Sequence, residues 1–360
     1  MKSLSSHSLY PIWLPISIGF LLRFINIQAP IVGVHSWRQA DTAAMARHFA
    51  LEKSPIWLPQ IDWAGATKGY VECEFPVFPY LVGQLYKIFG IHEWIGRSLS
   101  IVFSVITIFL VIRIGTSILD EVSGWWGGLF FALLPLNVYY GRAFQAESLL
   151  ILVSALSIER LLAWKRQSNQ FAIFLSWIFF CLACLIKLLP FIWLGMPLIF
   201  VQLQNNNDSL SIKDLYKRLV KTIQSPGPWI YFLTAVVITL TWFKYAYTLG
   251  QSSGLSFLTW EDNSDRVRLD MLFDSHVWSN LFLRITLRNL SIVGLPLVIL
   301  GLWDSYKNSV GQILWSGLIG MLICTICFMG SSAVHEYYQL PLQLFLCPLM
   351  GRGWSCFNSF

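Results

Sequence analysis

Long apolar runs separated by short polar segments make up most of this chain. Each run is long enough, or nearly so, to cross the ~30 Å hydrocarbon core of a bilayer as a helix. The runs cover residues 10–27, 96–115, 123–141, 144–163, 171–186, 188–203, 228–248, 288–303, 311–330 and 336–351. We therefore predict an all-α fold, a polytopic membrane helical bundle with about 10 transmembrane helices.

One further segment, 76–90, decides the predicted topology. Its pattern is helical, but it is short and carries Pro79 and Lys87. If it crosses the membrane, every later loop changes side. If it lies at the surface, the basic residues within 160–166 and 213–221 fall on the cytoplasmic side, which agrees with the positive-inside rule. We therefore expect an amphipathic surface helix here.

This topology predicts one integral-membrane domain over residues 1–352, with the N-terminus inside. The first apolar run lacks a small-residue cleavage site after it, so we expect a retained anchor. The predicted parts are a first outer loop with surface helices at 28–95, a cytoplasmic loop at 204–227, an outer loop at 250–287, long enough to suggest a lid or binding element, and a short tail at 353–360.

Composition agrees with a membrane protein and excludes other classes. Hydrophobic residues make up 56% of the chain and charged residues only 12%, whereas soluble domains carry roughly a quarter charged residues. The formal net charge is +6, but the basic residues are scattered between apolar runs. No nucleic-acid partner is therefore expected.

The cysteine pairs have the spacing of metal ligands but not the surroundings. Cys181 and Cys184, like Cys324 and Cys327, lie within apolar runs without a neighbouring histidine or acid. We interpret them as buried apolar residues.

Carboxylates are concentrated in the first outer loop, where Asp41 and Glu74 are the strongest candidates for chemistry. Asp41 follows His35 and Arg38 and precedes a helical pattern. It is either a helix N-cap or a general base just above the membrane. Glu74 either ends the loop before Pro76 or holds an acceptor or a metal ion beside Asp41.

A second group lies around the turn at 139–147. Its two tyrosines suit the aromatic belt of a membrane interface. Glu147 stands about one turn into an apolar helix, where an acid needs a partner such as Arg142 or Lys187. For Lys187 two roles are open, a structural ion pair between helices and phosphate binding.

The last outer turn carries His335, Glu336 and Tyr337. The two ionisable residues are either solvated or, clustered with tyrosines, a platform for a sugar or phosphate.

The order of these motifs resembles a known family. The first-loop acid is followed by Glu74 before Pro76, by the segment 89–97 ending in Arg97, by the turn at 139–147 and by His-Glu-Tyr-Tyr at 335–338. This order resembles the GT-C superfamily of polyprenyl-phosphate-sugar-dependent glycosyltransferases. The resemblance is closest to the bacterial members of glycosyltransferase family 39, relatives of protein O-mannosyltransferases and of the lipid A aminoarabinose transferase.

The resemblance implies a set of roles. Asp41 matches the first-loop acid of the family, although the Asp-Glu pair common there is absent, since Ala40 and Thr42 flank Asp41. We predict Asp41 and Glu74 as catalytic residues. The predicted donor-phosphate ligands are Arg97, Arg142 and Lys187, and the predicted substrate contacts are His35, Arg38, Glu147, His335, Glu336 and Tyr337.

The implied activity moves a sugar, with inversion, from a polyprenyl-phosphate donor to a lipid, glycan or protein acceptor of the cell envelope. The expected location is the plasma (inner) membrane, multi-pass within the bilayer, with the site facing the periplasm or exterior. The resemblance requires no cofactor, and whether the loop carboxylates bind a divalent metal ion is open.

Two other functions compete with this interpretation. A transporter or flippase of lipid-linked sugars would place ionisable residues near the bilayer midplane on paired broken helices, whereas here they collect at one predicted face. The chain also ends soon after its last apolar run, so a truncated, non-catalytic homologue is the other alternative.

Overall fold

The computed structural model describes residues 10–203, 220, 224–257, 264–305 and 311–358. Helices dominate this part of the chain, and its β-structure consists of two isolated bridges. The predicted all-α class is therefore confirmed. Most of the predicted cytoplasmic loop 204–227, and the acidic residues Glu261 and Asp262 of the 250–287 loop, lie outside the described residues.

The described helices follow the predicted apolar runs closely. In chain order they are α1 Trp13–Phe24, α2 Ser36–Leu51, α3 Val77–Phe89, α4 Glu93–Ile118, α5 Glu121–Leu133, α6 Pro135–Tyr140, α7 Glu147–Gln167, α8 Gln170–Ile186, α9 Pro190–Trp193, α10 Gly195–Leu203, α11 Pro226–Ser253, α12 Ser264–Val267, α13 Ser275–Arg284, α14 Ser291–Ser305, α15 Gln312–Cys327, α16 Met329–Val334 and α17 Gln343–Phe357. Two 3₁₀ segments, Leu269–Phe273 and Glu336–Leu342, and a π segment, Ile285–Asn289, complete them.

Several predicted helices are interrupted. The run 123–141 breaks at Leu134, which is extended because a residue before proline disfavours the helical conformation. The run 336–351 begins as a 3₁₀ segment, and its α-helix continues to Phe357. The predicted tail 353–360 therefore starts inside a helix, so that boundary is wrong.

Few of these helices are long and apolar enough to span a membrane alone. In the described part, α4 and α11 meet both conditions. A third span is possible if the bent pair formed by α13, its π segment and α14 is one span. The helix axis bends by 97° between the two halves of that pair. The predicted count of about 10 spans is thus not confirmed, because most of the remaining apolar helices are short.

A buried arginine joins the first helix to the bundle. Arg23 of α1 is fully buried, and its guanidinium donates to the Ser104 hydroxyl over 2.7 Å and to the carbonyls of Gly19 and Ala132 over 3.0 Å each. Each of these donors therefore has an acceptor inside the apolar core, as buried polar groups require.

Helix α17 packs closely between α5 and α14 through glycines. A side chain at Gly351 would collide with the Ser123 carbonyl, and one at Gly353 with the Leu297 carbonyl. The two helix backbones can approach this closely only because these positions have no Cβ.

The 28–95 segment forms a small helical layer on the bundle. Helix α3 packs on α2 where Gly83 faces the Ala46 carbonyl and the Phe49 side chain. A helix of 13 residues rises only about 20 Å, less than the ~30 Å core of a bilayer. That length agrees with the predicted surface helix at 76–90, which stays a prediction.

We predict that Gly351→Ala destabilises the protein. The added methyl meets a backbone carbonyl that cannot move away, and overpacking of this kind costs about 1–3 kcal/mol. Thermal unfolding in detergent should show a lower midpoint. Gly227→Ala is the matched control, because nothing lies near that position. Equal midpoints for the two variants would contradict the close α5–α17 packing.

Candidate active site

Asp41 lies within α2 rather than at its start. The helix begins at Ser36, after His35 in a left-handed conformation with φ 54°. The interpretation of Asp41 as an N-cap is therefore wrong. Asp41 is only 7% exposed. The indole N–H of Trp63 donates to its Oδ1 over 3.0 Å, and its Oδ2 has no hydrogen-bond partner among the described residues.

Burial raises the pKa of Asp41, although the hydrogen bond from Trp63 and the charge of Arg38 act in the opposite direction. Desolvation disfavours the charged form of a carboxyl group. A carboxylate with a raised pKa binds a proton more readily, and a free oxygen can accept one from a substrate. Both properties suit a general base.

Glu74 pairs with Arg38 rather than with Asp41. The Arg38 Nη2 donates to Glu74 Oε1 over 2.7 Å. The Arg38 guanidinium also lies 5.8 Å from the centre of the Phe257 ring. Glu74 thereby offsets the charge of the cation nearest to Asp41 along α2.

Of the two partners predicted for Glu147, Arg142 and Lys187, it is Lys187 that pairs with it. The Lys187 Nζ donates to Glu147 Oε1 over 2.7 Å, and Glu147 is only 2% exposed. The same ammonium lies 4.5 Å from the centre of the Tyr337 ring and 5.2 Å from that of Tyr338. A buried pair with a cation–π contact fits the structural role left open for Lys187.

The first loop and the last predicted turn meet in the structure. The His35 ring lies 5.2 Å from the rings of both His335 and Tyr337, and His335 stacks on Tyr337 at 5.1 Å. Burial lowers the pKa of His335 to about 4, and His35 and Lys187 act in the same direction. His335 is therefore neutral at pH 7 and supplies no cation.

Glu336 is buried, not solvated. Its carboxylate pairs with Arg288 and accepts a 3.4 Å hydrogen bond from the Tyr140 hydroxyl. Tyr140 is fully buried, so the interfacial-belt interpretation is wrong for it. Tyr139 donates to the Val34 carbonyl over 2.8 Å.

Arg97 and Arg142 line a cavity of about 210 Å³. Its lining is Asn26, Ala29, Pro30, Val32, Gly33, Gln39, Arg97, Tyr139, Arg142 and Ala143, without a carboxylate. Arg97 donates to the carbonyls of Asn26 and Pro30 over 3.0 and 3.1 Å. Arg142 donates to the Ile25 carbonyl, and Arg97 Nε is buried without a partner in the described part.

Gln39 connects α2 to this cavity. Its carboxamide oxygen accepts from the Phe144 N–H over 3.0 Å, and its nitrogen lies 3.4 Å from the Tyr139 hydroxyl. Residues two apart on a helix project about 200° apart. The side chains of Gln39 and Asp41 therefore point to roughly opposite sides of α2.

The three predicted phosphate ligands do not lie together. Arg97 and Arg142 line the cavity, whereas Lys187 pairs with Glu147.

The described residues do not form a metal-binding site. They contain no group of three or more histidine, cysteine or acidic side chains arranged to hold an ion. The four paired cysteines are free thiols. Cys181, Cys184 and Cys324 are buried, as predicted, but Cys327 is exposed, so the prediction of a buried residue is wrong for it.

Sequence reasoning missed the uncharged residues that position the charged ones. Trp63 binds the Asp41 carboxylate, Gln39 joins the loop to the bundle, and Phe257, more than 200 residues after Arg38, lies beside its guanidinium. Of these three residues, only Gln39 could have been found from the sequence, because it is a polar residue between Arg38 and Asp41 in a helical pattern. The other two are aromatic residues in a chain that is 16% aromatic.

Comparison with known proteins concerns the family and the fold. Residues 74–245, slightly less than half of the chain, match the sequence model of the dolichyl-phosphate-mannose-protein mannosyltransferase family. The solved structure of ArnT from Cupriavidus metallidurans bound to undecaprenyl phosphate is similar over 96% of this chain, with a TM-score of 0.63 and 15% identity. The predicted resemblance to the GT-C superfamily is confirmed.

A second GT-C protein extends the likeness. The archaeal oligosaccharyltransferase AglB from Archaeoglobus fulgidus, solved with an inhibitory peptide and a dolichol-phosphate, is similar over 94% of this chain, with a TM-score of 0.54 and 12% identity. The chain spans only 60% of the ArnT chain and 50% of the AglB chain. A search of curated proteins by sequence found no significant match.

We predict that Trp63→Phe raises the pKa of Asp41 further. The change removes the hydrogen bond that lowers this pKa and keeps an aromatic ring. An infrared titration of the Asp41 carboxyl band, assigned through Asp41→Asn, should move to higher pH. Trp57→Phe, in the same segment, is the control and should leave the titration unchanged. A shift to lower pH in Trp63→Phe would contradict the assigned hydrogen bond.

Proposed function

We propose that this protein is an integral-membrane glycosyltransferase. It moves a sugar from a polyprenyl-phosphate-linked donor to a cell-envelope acceptor at the outer face of the plasma membrane. The observation that carries the proposal is the Asp41 carboxylate, which is buried, has a raised pKa and keeps one oxygen without a partner among the described residues. Perturbed carboxylates of this kind are typical of catalytic groups.

The donor phosphate binds in the cavity of Arg97 and Arg142. Two guanidinium groups without a carboxylate in the lining favour a phosphate, since each offers charge-assisted hydrogen bonds. A lipid-phosphate donor is also supported by ArnT, solved with undecaprenyl phosphate, and by AglB, solved with a dolichol-phosphate. Lys187, which already has Glu147 as its partner, supports the site rather than binding the phosphate.

The reaction gives Asp41 and the two arginines separate roles at one reacting centre. Asp41 accepts the proton of an acceptor hydroxyl, and the oxygen of that hydroxyl attacks the anomeric carbon. The bond between this carbon and the phosphate oxygen breaks, and the bonding electrons leave with the polyprenyl phosphate. Arg97 and Arg142 stabilise the charge that develops on the phosphate. Attack from the side opposite the leaving group inverts the anomeric carbon.

The other predicted residues form the wall of the site. Glu74 holds Arg38, and His35, His335 and Tyr337 form an aromatic surface beside the Lys187–Glu147 pair. Glu336 fixes the last turn through Arg288. These groups shape the substrate site and take no part in proton transfer.

We predict that Asp41→Asn lowers sugar transfer at least ~100-fold, the low end of the contribution of a general base. Asparagine keeps an oxygen for the Trp63 indole but cannot take the proton, so the folded protein should persist. Transfer from a synthetic polyprenyl-phosphate sugar to envelope extracts measures the effect. Glu52→Gln, which removes an exposed carboxylate at the end of α2, should retain activity.

Near-normal transfer by Asp41→Asn would remove Asp41 as the base and leave Glu74 as the next candidate.

We also predict that Arg142→Gln raises the donor KM about tenfold or more, because a neutral side chain cannot replace a charge-assisted contact to phosphate. Donor titrations measure this change. Lys87→Gln is the control, since it removes an exposed cation of α3 that hydrogen-bonds Gln84 outside the cavity. An unchanged donor KM in Arg142→Gln would argue against the phosphate cavity.

A further inference from the structure

Two tryptophans are exposed beside Asp41. Trp37 is 61% exposed and Trp63 is 37% exposed. Their ring centres lie 5.9 Å apart, and the ring planes are inclined by 49°. Trp37 precedes Asp41 by four residues on α2, so the two side chains share a helix face. Trp63 reaches the same carboxylate directly through its indole N–H.

Further contacts hold this pair in place on the side that faces the protein interior. Trp63 packs edge-on against Phe257 at 5.9 Å, and Phe257 lies on the Arg38 guanidinium. Phe257 itself is buried in a small apolar cluster with Phe49 and Val71. These contacts hold the inner edge of the pair, and Trp37 keeps most of its surface exposed.

An open aromatic surface next to a hydrogen-bonding carboxylate has a specific chemistry. One face of a sugar ring carries C–H groups, which pack on aromatic rings, while its hydroxyls point outward and donate to carboxylates. A serine or threonine side chain offers only one hydroxyl and has no such face. The pairing of exposed indoles with Asp41 therefore favours a saccharide.

We infer that Trp37 and Trp63 are the platform on which the acceptor binds, and that this acceptor is a saccharide whose hydroxyl is presented to Asp41. The inference rests on the proposed function, in which Asp41 takes the proton of the acceptor. It assigns the acceptor to the face of α2 that carries Trp37 and Asp41.

The test measures binding of saccharides without a donor. Saturation-transfer NMR is recorded on the whole protein in a detergent without a sugar headgroup. The probes are methyl glycosides of glucose, mannose and N-acetylglucosamine, with N-acetyl-threonine methylamide as the non-sugar probe. We expect transfer to at least one glycoside, an at least fivefold weaker signal in Trp37→Ala, and a largely retained signal in Trp37→Phe.

Trp57→Ala is the matched control, since Trp57 is also exposed, at 54%, in the same segment. It should bind the glycoside as the wild type does. Three results would overturn the inference: no glycoside binding by the wild type, equal losses in Trp37→Ala and Trp57→Ala, or stronger binding of the threonine probe. Equal losses would indicate tryptophans of a membrane interface instead.

The two proposals fail in different ways. If Asp41→Asn keeps full transfer activity but Trp37→Ala loses the glycoside, the catalytic role is wrong and the saccharide site stands. If Asp41→Asn loses transfer but Trp37→Ala keeps both the glycoside signal and the acceptor KM, the glycosyltransferase stands and the platform is wrong. An unchanged donor KM in Trp37→Ala is expected in either case.

Discussion

The docking of α2 on the turn at 139–147 is the contact on which the candidate site depends. Gln39 is buried, and its carboxamide accepts from the Phe144 N–H and donates to the Val34 carbonyl over 3.1 Å. Leaving such a buried group without a partner costs about 1–3 kcal/mol. This contact fixes the rotation of α2, and with it the position of Gln39 at the cavity and of Asp41 two residues further on.

The charges around Asp41 decide how readily it binds a proton. A carboxylate beside two arginines would have its pKa depressed and would bind a proton poorly. Here Arg97 and Arg142 lie at the cavity, and Arg38, the cation nearest to Asp41 on α2, is paired with Glu74. Burial can then raise the pKa of Asp41. Asp41 can therefore serve as a base although the site also contains cations for the phosphate.

The sequence alone predicted the helical class, most helix positions and a charged partner for Glu147, either Arg142 or Lys187, because apolar periodicity and the cost of an isolated buried charge are local rules. It did not predict that Glu74 pairs with Arg38, or that Trp63 holds Asp41. Those contacts depend on how the 28–95 segment folds back on itself. Phe257 reaches the site from outside that segment, and no pattern in the sequence connects the two.

The candidate site depends most on Arg97 and Arg142 binding the donor phosphate while Asp41 takes the proton of the acceptor. A structure determined by cryo-electron microscopy with a bound polyprenyl phosphate tests it most directly. The account predicts phosphate density between Arg97 and Arg142, on the Gln39 side of α2. Phosphate density against Lys187 and Arg38 instead, with Arg97 and Arg142 contacting only backbone carbonyls, would contradict it.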